Sequence, residues 1–455
     1  MPHPDCTLRK PVETSSKHAR GNPGVMGKID TGDTAWLLVS SALVLLMTPA
    51  LALFYGGMVR RKNVLSTVMH SVAAIPIISV AWMLFGYSLA FGPTHGGLIG
   101  GLGLAGFRGL ASDVHGTVPT LAFAAFQMMF AVITPALISG AFAERMKFSA
   151  YVAFILLWST LVYDPVAHWV WADGGWLFKL GALDFAGGTV VHLTAGMSAL
   201  VCALVIGKRA GYPERRSLPH DLTMTLLGAG LLWFGWFGFN SGSALSSGQL
   251  AALAFVATHL GAAGGALGWL AVEWWHRGKP TALGVASGLV AGLVAITPAS
   301  GFVAPWAAIV IGVAAGGVCY GAVLLKNRFG YDDSLDAFGV HGVGGLSGAL
   351  LTGIFAEKAL NDAGADGGLK QLGIQALACA ATGVYAVVVT FGILKLIDAT
   401  LGLRVPVAEE REGLDTTQHG EEAYGESTGG MSQREDAPEG VPMPAHGSAR
   451  EVAAE

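Results

Sequence analysis

The chain is a succession of long apolar runs separated by short polar stretches. A helix needs about 20 apolar residues to cross a bilayer. By that measure the pattern predicts about eleven transmembrane helices, near residues 34–57, 64–91, 118–142, 149–166, 184–206, 221–240, 249–275, 281–299, 303–325, 336–356 and 369–398. The sequence lacks the short alternating segments of a membrane β-barrel. The pattern therefore predicts an all-α integral membrane protein.

Composition supports this fold class. Of the 455 residues, 53% are hydrophobic and only 13% are charged, whereas a soluble protein carries roughly 25% charged residues. Many of the 65 glycines lie inside the apolar runs at spacings that let helix backbones approach closely, for example Gly264/Gly268, Gly284/Gly288/Gly292, Gly312/Gly316 and Gly344/Gly348. Neither a disulfide framework nor a zinc site is expected from the cysteines, which are Cys6, Cys202, Cys319 and Cys379.

Basic residues predict the orientation of the helices. One set of alternate loops is rich in arginine and lysine: Arg60, Arg61, Lys62, Arg145, Lys147, Lys208, Arg209, Arg215, Arg216, Arg277, Lys279, Lys326 and Arg328. The other set carries only Arg108, Lys179, Lys358 and Lys370. The positive-inside rule puts the first set in the cytoplasm. With an odd number of spans, the N-terminus is then expected outside and the C-terminus in the cytoplasm, in the cell (inner) membrane.

The two ends of the chain differ from the membrane part at 33–400. Residues 1–32 form a polar extension that we expect to be flexible, and its basic residues disagree with an outside location. Translation from Met26 would remove most of them. Residues 401–427 are polar but not of low complexity, and predict a cytoplasmic regulatory tail. Residues 428–455 are rich in Gly, Pro, Glu and Ala, a composition typical of disorder.

Two histidines lie inside apolar runs, where an ionisable side chain is expensive. His192 follows Asp184, His341 follows Asp336, and the two runs look like weak copies of each other. Ionisable groups within a membrane usually mark a transport path, a relay or a ligand site. We interpret the pair as part of a pore between related segments. Metal or haem ligation is an alternative, although two histidines do not complete a zinc site. Hydrogen bonding between helices is another.

Aromatic residues recur at helical spacing in two predicted helices, as Phe126 with Phe130 and as Trp236 with Phe239 and the hydroxyl Ser243. Three tryptophans, Trp169, Trp171 and Trp176, are expected at an outer membrane interface. Tryptophans there often form an aromatic belt, and this alternative stays open. The sharper hypothesis is a cation site, since a desolvated aromatic face attracts a cation by up to about 2 kcal/mol and a hydroxyl accepts a hydrogen bond. Asp184 either caps a helix or stabilises that cation from a distance.

Several longer motifs carry a resemblance to a known family. They are ALFYGGMVRRKNVLS, FQMMFAVITPALISGAFAERMKFSA, DFAGGTVVH, WFGWFGFNSGSA, DDSLDAFGVHGVGG, TGIFA and the tail motif GLRVP…EGLD…HGEEAY. In this order they resemble the ammonium transporter family of the Amt type, from about Asp33 to Tyr424. The resemblance implies an eleven-helix protomer with two inverted five-helix halves plus a final long helix, an arrangement common in transporters. It also implies a homotrimer with one pore in each subunit.

The resemblance also implies roles for single residues. Those of the outer ammonium site would be Phe130, Trp171 and Ser243, with Phe126 and Trp236 lining the same region and the buried Asp184 nearby. Below this site, Phe130 and Phe239 would stack as a gate. His192 and His341 would be the twin histidines of the pore. Trp171 and Ser243 favour the Amt branch over the Rhesus-type branch.

The leading hypothesis is therefore transmembrane transport of ammonium or ammonia. An aromatic site recruits the cation, and an apolar pore makes the intact ion costly to admit. Loss of a proton leaves neutral ammonia, which neutral imidazoles can pass along by hydrogen bonds. Alternatives are a Rhesus-like channel for neutral gases and an ammonium sensor that signals through its tail. An enzyme is disfavoured, because the sequence shows no nucleophile–base pair or metal set. We expect no cofactor and no nucleic acid.

A partner is implied at the cytoplasmic face. The resemblance implies that a PII-type signalling protein docks there. The inner loops carry arginine and lysine beside Asp332 and Asp333, a mixed-charge surface suited to a polar partner. The tail from Gly402 to Tyr424 retains apolar residues with which it is expected to dock on those loops: Leu403, Val405, Val407, Leu414 and Tyr424.

Overall fold

The computed structural model describes residues 28–214 and 218–424. Within these ranges, ten helices are long and apolar enough to cross a membrane, and a shorter apolar helix is the eleventh. In chain order they are α1 (Thr31–Met58), α2 (Arg61–Phe91), α3 (Thr120–Ala141), α4 (Phe148–Leu180), α5 (Gly188–Ile206), α6 (Leu222–Ser241), α7 (Gln249–Arg277), the shorter α8 (Ala282–Ile296), α9 (Pro305–Phe329), α10 (Phe338–Phe355) and α11 (Leu369–Thr400).

Each predicted span corresponds to one of these helices, and the all-α membrane fold is confirmed. Two boundaries differ from expectation. Helix α4 runs well past the predicted end at 166, to Trp171, before a break at 172–175. Helix α5 begins only at Gly188, so Asp184 lies in the preceding loop. The expectations for residues 1–27, including a start at Met26, and for 428–455 lie outside the described residues.

Polar side chains and glycines define several helix ends. Asp30 accepts the Asp33 amide at 2.9 Å before α1, and Asp221 accepts the Met224 amide at 2.9 Å before α6. Such caps satisfy amides that have no partner inside the helix. Helix α9 ends at Phe329 and is followed by Gly330, whose φ of 69° is the left-handed conformation that glycine adopts at helix ends. Short polar loops can therefore connect closely packed helices.

Helices α7, α8 and α9 pack through their glycines. A Cβ added to Gly265 would lie 2.4 Å from the Gly288 carbonyl oxygen, and one on Gly312 would lie 2.2 Å from that of Gly261. No side chain fits such gaps, so these backbones are in direct contact. The glycine spacings in the sequence predicted this mode of packing.

The connection between α2 and α3 carries two small hairpins. Strands β1 (Thr94–His95) and β2 (Ile99–Gly100) pair antiparallel with Thr94 opposite Gly100, and β3 (Val114–His115) and β4 (Val118–Pro119) pair with Val114 opposite Pro119. Short 3₁₀ turns at Leu102–Phe107 and Leu110–Ser112 lie between them. We call this side of the molecule the hairpin face.

The chain after α11 folds back onto the opposite side, which we call the tail face. It contains helix α12 (Val407–Glu412) and a π-helical turn at Asp415–His419. The Lys147 amide donates to the Leu403 carbonyl at 2.9 Å, next to the loop between α3 and α4. Of the five apolar residues expected to dock, Leu403, Val405 and Leu414 are buried. The other two, Val407 and Tyr424, are 50% and 38% exposed.

Candidate functional site

A cavity of about 560 Å³ lies under the hairpins. Phe130, Trp171 and Ser243 all line this hairpin-side cavity, although they come from α3, from α4 and from the turn after α6. The Phe130 and Trp171 rings meet edge to face, with centroids 6.0 Å apart. The three residues expected at a cation site are therefore together in one cavity.

The cavity lining offers oxygen atoms that can accept hydrogen bonds from a bound molecule. The Ser243 hydroxyl donates to the Phe239 carbonyl at 2.8 Å, so its proton is used and its oxygen remains an acceptor. The Trp171 indole N–H donates to the Asp184 carbonyl at 2.9 Å. Asp173 also lines the cavity and adds negative charge. Ring faces, a hydroxyl acceptor and a carboxylate together favour a small cation.

Two rings separate this cavity from the interior. Phe130 and Phe239 lie with ring centroids 4.2 Å apart at an interplanar angle of 37°. Phe126 meets Phe130 edge to face at 4.9 Å and is fully buried. Phe239 in turn lines a second, much smaller cavity. A species that leaves the hairpin-side cavity on this path has to displace the Phe130–Phe239 contact.

The second cavity contains both predicted histidines. It has a volume of about 10 Å³, and its lining includes His192, His341, Trp236 and Phe239. We call it the histidine cavity. Its volume corresponds to about one water-sized probe, and apart from the imidazoles and the indole its walls are apolar. Phe126 does not line either cavity.

The two imidazoles stack on each other. Their ring centroids are 5.4 Å apart at an interplanar angle of 16°. His192 also lies 5.4 Å from the Trp236 ring, and Trp236 is held by a 2.9 Å hydrogen bond from its N–H to the Thr297 hydroxyl. Among the described residues, neither ring nitrogen of His192 nor Nδ1 of His341 has a hydrogen-bond partner. These nitrogens are free to bind a small polar molecule.

Asp184 positions both Trp171 and the turn that carries the first histidine. Its carboxylate accepts the Gly187, Gly188, Thr189 and Val190 amides at 2.8, 2.6, 2.9 and 3.1 Å, so it caps helix α5. The first turn of α5, Gly188–Leu193, is π-helical and carries His192. The carboxylate of Asp184 does not line the hairpin-side cavity, whereas its carbonyl holds Trp171. The capping interpretation is thus the one that the contacts support.

The corresponding residue in the second half is Asp333, and the assignment of Asp336 to this place was wrong. Asp333 accepts the Ala337 and Phe338 amides at 3.1 and 2.8 Å, capping the π-helical turn that opens α10. His192 stands eight residues after Asp184, and His341 stands eight after Asp333. Asp336 instead forms an ion pair with Lys326. The identical spacing relates α5 and α10 as equivalent elements of two halves.

An ionic network ties the loops of the tail face together. Glu144 is buried, and its carboxylate accepts from Arg60 Nε at 2.9 Å, Asn63 Nδ2 at 2.8 Å and Arg209 Nη1 at 2.9 Å. Arg209 also pairs with Asp332 at 2.9 Å. Burial alone raises the pKa of Glu144, but Arg209 and Arg60 outweigh it and lower the pKa to about 2. The network therefore stays charged at neutral pH.

This network corrects the expectation of a mixed-charge docking surface. Asp332 and Asp333 are each only 1% exposed, because one pairs with Arg209 and the other caps α10. Their carboxylates are used inside the protein and do not face a partner.

Sequence reasoning missed several residues of the site. Asp333 had a readable signal, the repeated eight-residue spacing to a histidine. Thr297, which anchors Trp236, and Gln127 and His115, which line the hairpin-side cavity, had none. Each is an ordinary polar residue until the fold brings it to the site.

Comparisons with known proteins show which family the chain resembles in sequence and fold. A sequence model described as the Ammonium Transporter Family matches residues 35–424. An ammonium transporter from Bacillus subtilis is 54% identical over 404 residues, covering 87% of this chain and 99% of that protein. The crystal structure of Saccharomyces cerevisiae Mep2 superimposes with a TM-score of 0.78 at 40% identity, covering 83% and 88% of the two chains. A Sensor Amt Protein superimposes with a TM-score of 0.80 at 30% identity, covering 85% and 98%.

Proposed function

The chain belongs to the ammonium transporter family, and from this we propose how it moves ammonium across a membrane. The cation is recruited in the hairpin-side cavity, loses a proton, and passes as ammonia through the histidine cavity. One observation carries the proposal. The Phe130 ring, which lines the first cavity, contacts Phe239, which lines the second, so the two cavities are consecutive.

Recruitment rests on Phe130, Trp171 and Ser243. Ring faces attract a desolvated cation by up to about 2 kcal/mol each, and the Ser243 oxygen accepts one of the N–H groups of ammonium. Potassium has the same charge but donates no hydrogen bond, so the hydroxyl favours ammonium. Asp184 contributes by holding Trp171 and capping α5.

Passage rests on the small size and apolar walls of the histidine cavity. An ion that enters a space of about 10 Å³ gives up nearly all of its hydration. Neutral ammonia pays a far smaller desolvation penalty. Imidazole nitrogens without protein partners can accept its N–H groups or donate to its lone pair. We propose that His192 and His341 form the pore and that Phe130 and Phe239 form its gate.

The direct test is uptake into proteoliposomes, with current and internal pH recorded together. Trp171→Leu removes the indole face, so the apparent affinity for ammonium is expected to fall about fivefold or more, as for a loss of about 1 kcal/mol. Trp176→Leu is the matched control, because Trp176 lies in the same region but does not line the cavity. Unchanged affinity and unchanged discrimination against potassium in Trp171→Leu would place recognition elsewhere.

A sensor is the second candidate function. The similarity to a Sensor Amt Protein and the tail folded onto the loops both favour it. A sensor predicts a tail that responds to ammonium while flux is negligible, whereas a transporter predicts saturable flux. A Rhesus-like gas channel predicts uptake that does not saturate. The same liposome experiment separates all three.

We further propose the oligomeric state, the membrane location and a partner of the protein. The resemblance supports a homotrimer in the cell (inner) membrane with the tail face in the cytoplasm, since Arg60, Arg145 and Arg209 lie on that face with the tail. Residues 33–400 would be the membrane domain and 401–427 the regulatory tail. A PII-type protein would dock there. A pull-down with ATP, ADP and 2-oxoglutarate tests it, and absence of binding in every nucleotide state removes the partner.

A further inference from the structure

Helix α8 is too short to cross the bilayer as a helix. Its 15 residues, Ala282–Ile296, span about 22 Å, whereas the hydrocarbon core of a membrane is about 30 Å thick. The chain then continues as turns, and every residue of 297–303 is buried. We call residues 297–303 the α8 break. Non-helical backbone at membrane depth is tolerated only where protein covers it or where it lines a cavity, so the break is expected to serve the residues that it contacts.

The first residue of the α8 break holds Trp236. Thr297 is fully buried, and its hydroxyl donates to the Leu293 carbonyl at 2.8 Å while it accepts the Trp236 indole N–H at 2.9 Å. Because the hydroxyl proton is used by Leu293, the oxygen presents a lone pair, which is what an indole N–H requires. Trp236 is also buried, so its N–H would be left unsatisfied without Thr297.

Trp236 in turn links the α8 break to the imidazoles. Its ring stacks on His192 with centroids 5.4 Å apart and planes 23° apart, and His192 stacks on His341 at 5.4 Å and 16°. Phe239 contacts the same imidazole at 6.0 Å. Within the described part of the chain, neither ring nitrogen of His192 has a hydrogen-bond partner. The orientation of this imidazole therefore depends on the rings packed against it, and Thr297 fixes one of them.

The α8 break also contacts the backbone that carries His192. The Phe185 amide donates to the Pro298 carbonyl at 3.1 Å. A Cβ added to Gly188, the first residue of α5, would lie 2.5 Å from the ring of Pro298. The start of α5 is thus in direct contact with the break. His192 is supported by neighbouring residues of the break on both its ring side and its backbone side.

We propose, on the basis of the function proposed above, that Thr297 is a positioning residue of the histidine cavity. Its hydroxyl holds the Trp236 indole against His192, which keeps the two imidazoles stacked and the cavity as small as about 10 Å³. Thr297 does not itself line the cavity, so it acts on the transported molecule through Trp236. The anchored indole makes the cavity selective for size, which favours ammonia over an amine with one more carbon.

The experiment measures uptake of ammonium and of methylammonium by proteoliposomes. The ratio of the two maximal rates does not depend on how much protein folds. Thr297→Val keeps the side-chain shape but leaves the indole N–H without an acceptor, so the ratio is expected to shift toward methylammonium about threefold or more. Thr297→Ser keeps the hydroxyl and is expected to match the parent protein. A parental ratio in Thr297→Val would overturn the proposal.

A second readout separates the two cavities. Thr297 does not line the hairpin-side cavity, so the half-saturating ammonium concentration of Thr297→Val is expected to stay within about twofold of the parental value, since a twofold change is only about 0.4 kcal/mol. A large change in this concentration with a parental rate ratio would mean that Thr297 acts on recruitment, which contradicts the proposal.

Thr382→Val is the matched control. Thr382 is fully buried on α11, and its hydroxyl likewise donates one turn back, to the Ala378 carbonyl at 2.8 Å. No side-chain N–H of the described residues donates to it. The rate ratio of Thr382→Val is expected to be parental. Equal shifts in Thr382→Val and Thr297→Val would trace the effect to the loss of any buried hydroxyl and overturn the proposal.

A double-mutant cycle tests the route through the indole. Trp236→Phe keeps a ring beside His192 but has no N–H to anchor. If Thr297 acts through Trp236, Thr297→Val produces no further shift of the ratio on this background. Shifts that add would show that Thr297 acts by another route, and the proposal would fail.

A spectroscopic measurement separates this inference from the transport function. The indole N–H resonance of Trp236 is identified in nitrogen-15-labelled protein by its absence in Trp236→Phe. It is expected to move in Thr297→Val and to stay in place in Thr297→Ser and Thr382→Val, and this reading needs no flux. An unmoved resonance in Thr297→Val contradicts the anchoring, whereas a parent protein that takes up no ammonium contradicts the transport function instead.

Discussion

At the scale of single residues, the histidine cavity presents hydrogen-bonding groups that the protein itself leaves unused. The stacked imidazoles of His192 and His341 are buried, and three of their four nitrogens have no partner among the described residues. Buried polar groups of this kind are uncommon unless a ligand or a function uses them. In the function proposed above, ammonia is the molecule that uses these groups.

Removing either imidazole is therefore expected to slow transport. His192→Ala or His341→Ala should lower ammonium flux by roughly tenfold, because a lost hydrogen bond in a buried site costs about 1–3 kcal/mol. Stopped-flow measurement of flux in proteoliposomes gives the result. His259→Ala is the control, since His259 is exposed on α7 and stacks on Trp233 away from the cavity. Normal flux and selectivity in both pore variants would discard the assignment.

Some residues of the candidate site could be predicted from the sequence and others could not. Phe130, Trp171 and Ser243 lie in one cavity as their motifs implied. Asp333 and Asp336 both precede His341, and the eight-residue spacing that Asp333 shares with Asp184 is the sequence signal that distinguishes them. Asp336 has a φ of 60° and turns toward Lys326. A local turn of this kind has no clear sequence signal.

At the scale of elements, the two histidine helices cross at a point where only glycine fits. A Cβ on Gly196 of α5 would lie 2.0 Å from the amide nitrogen of Gly342 on α10. This close crossing holds the imidazoles of the two helices at their stacking distance. Overpacking of such a contact typically costs about 1–3 kcal/mol.

Gly196→Ala is accordingly expected to lower both thermal stability and flux. The unfolding midpoint of the purified protein should fall by several degrees (about 2–4 °C per kcal/mol for a larger domain). Gly392→Ala on α11 is the control, because a Cβ there would meet no atom within 4 Å. If Gly196→Ala left the unfolding midpoint and the flux unchanged, helices α5 and α10 would not need this close contact.

Helices were predictable from their apolar runs, but their irregular turns were not. The first turn of α5 has an ordinary apolar sequence, GTVVHL, and is nevertheless π-helical. Its geometry follows from the four amides gathered by Asp184 and from Gly187, whose φ is 116°. Hydrophobic periodicity indicates which side of a helix is buried. It does not reveal where one turn contains an extra residue and becomes π-helical.

At the scale of the whole molecule, ion pairs and contacts with the C-terminal tail hold the loops of the tail face together. Glu410 accepts the Ala210 amide at 2.5 Å and pairs with Arg404 at 2.6 Å, while the Leu414 amide donates to Asn63 at 2.8 Å. Asn63 also contacts Glu144. The tail is thereby connected to the ionic network that joins both halves of the protein.

The ionic network is expected to stabilise the protein at neutral pH and to lose this contribution in acid. The pKa of Glu144 is lowered from 4.5 to about 2, so its contribution to stability is present above about pH 4.5 and is lost as the pH falls toward 2. Glu144→Gln should lower the unfolding midpoint at pH 7, and the difference from the parent protein should shrink as the pH approaches 2. Glu412→Gln, at an exposed position of α12, should change little at either pH. A pH-independent difference for Glu144→Gln would contradict the assignment.

Two truncations test the tail. Deletion of residues 428–455 is expected to leave transport intact. Deletion from Gly402 onward should lower activity, because it removes the buried Leu403, Val405 and Leu414 and the contacts to Asn63 and Ala210. Uptake by both truncated proteins, normalised to the amount reconstituted, is the measurement. Full activity after loss of 402–455 would remove any coupling between tail and pore.

The narrow space between the histidines has a consequence for osmosis. A chamber of about 10 Å³ cannot hold a continuous column of liquid, so a cell could place many copies of this protein in its envelope without becoming leaky to water. Vesicles that contain the protein should shrink in hypertonic sucrose no faster than empty vesicles. Accelerated shrinkage would mean that the histidine cavity opens far beyond the volume of about 10 Å³ seen in the structure.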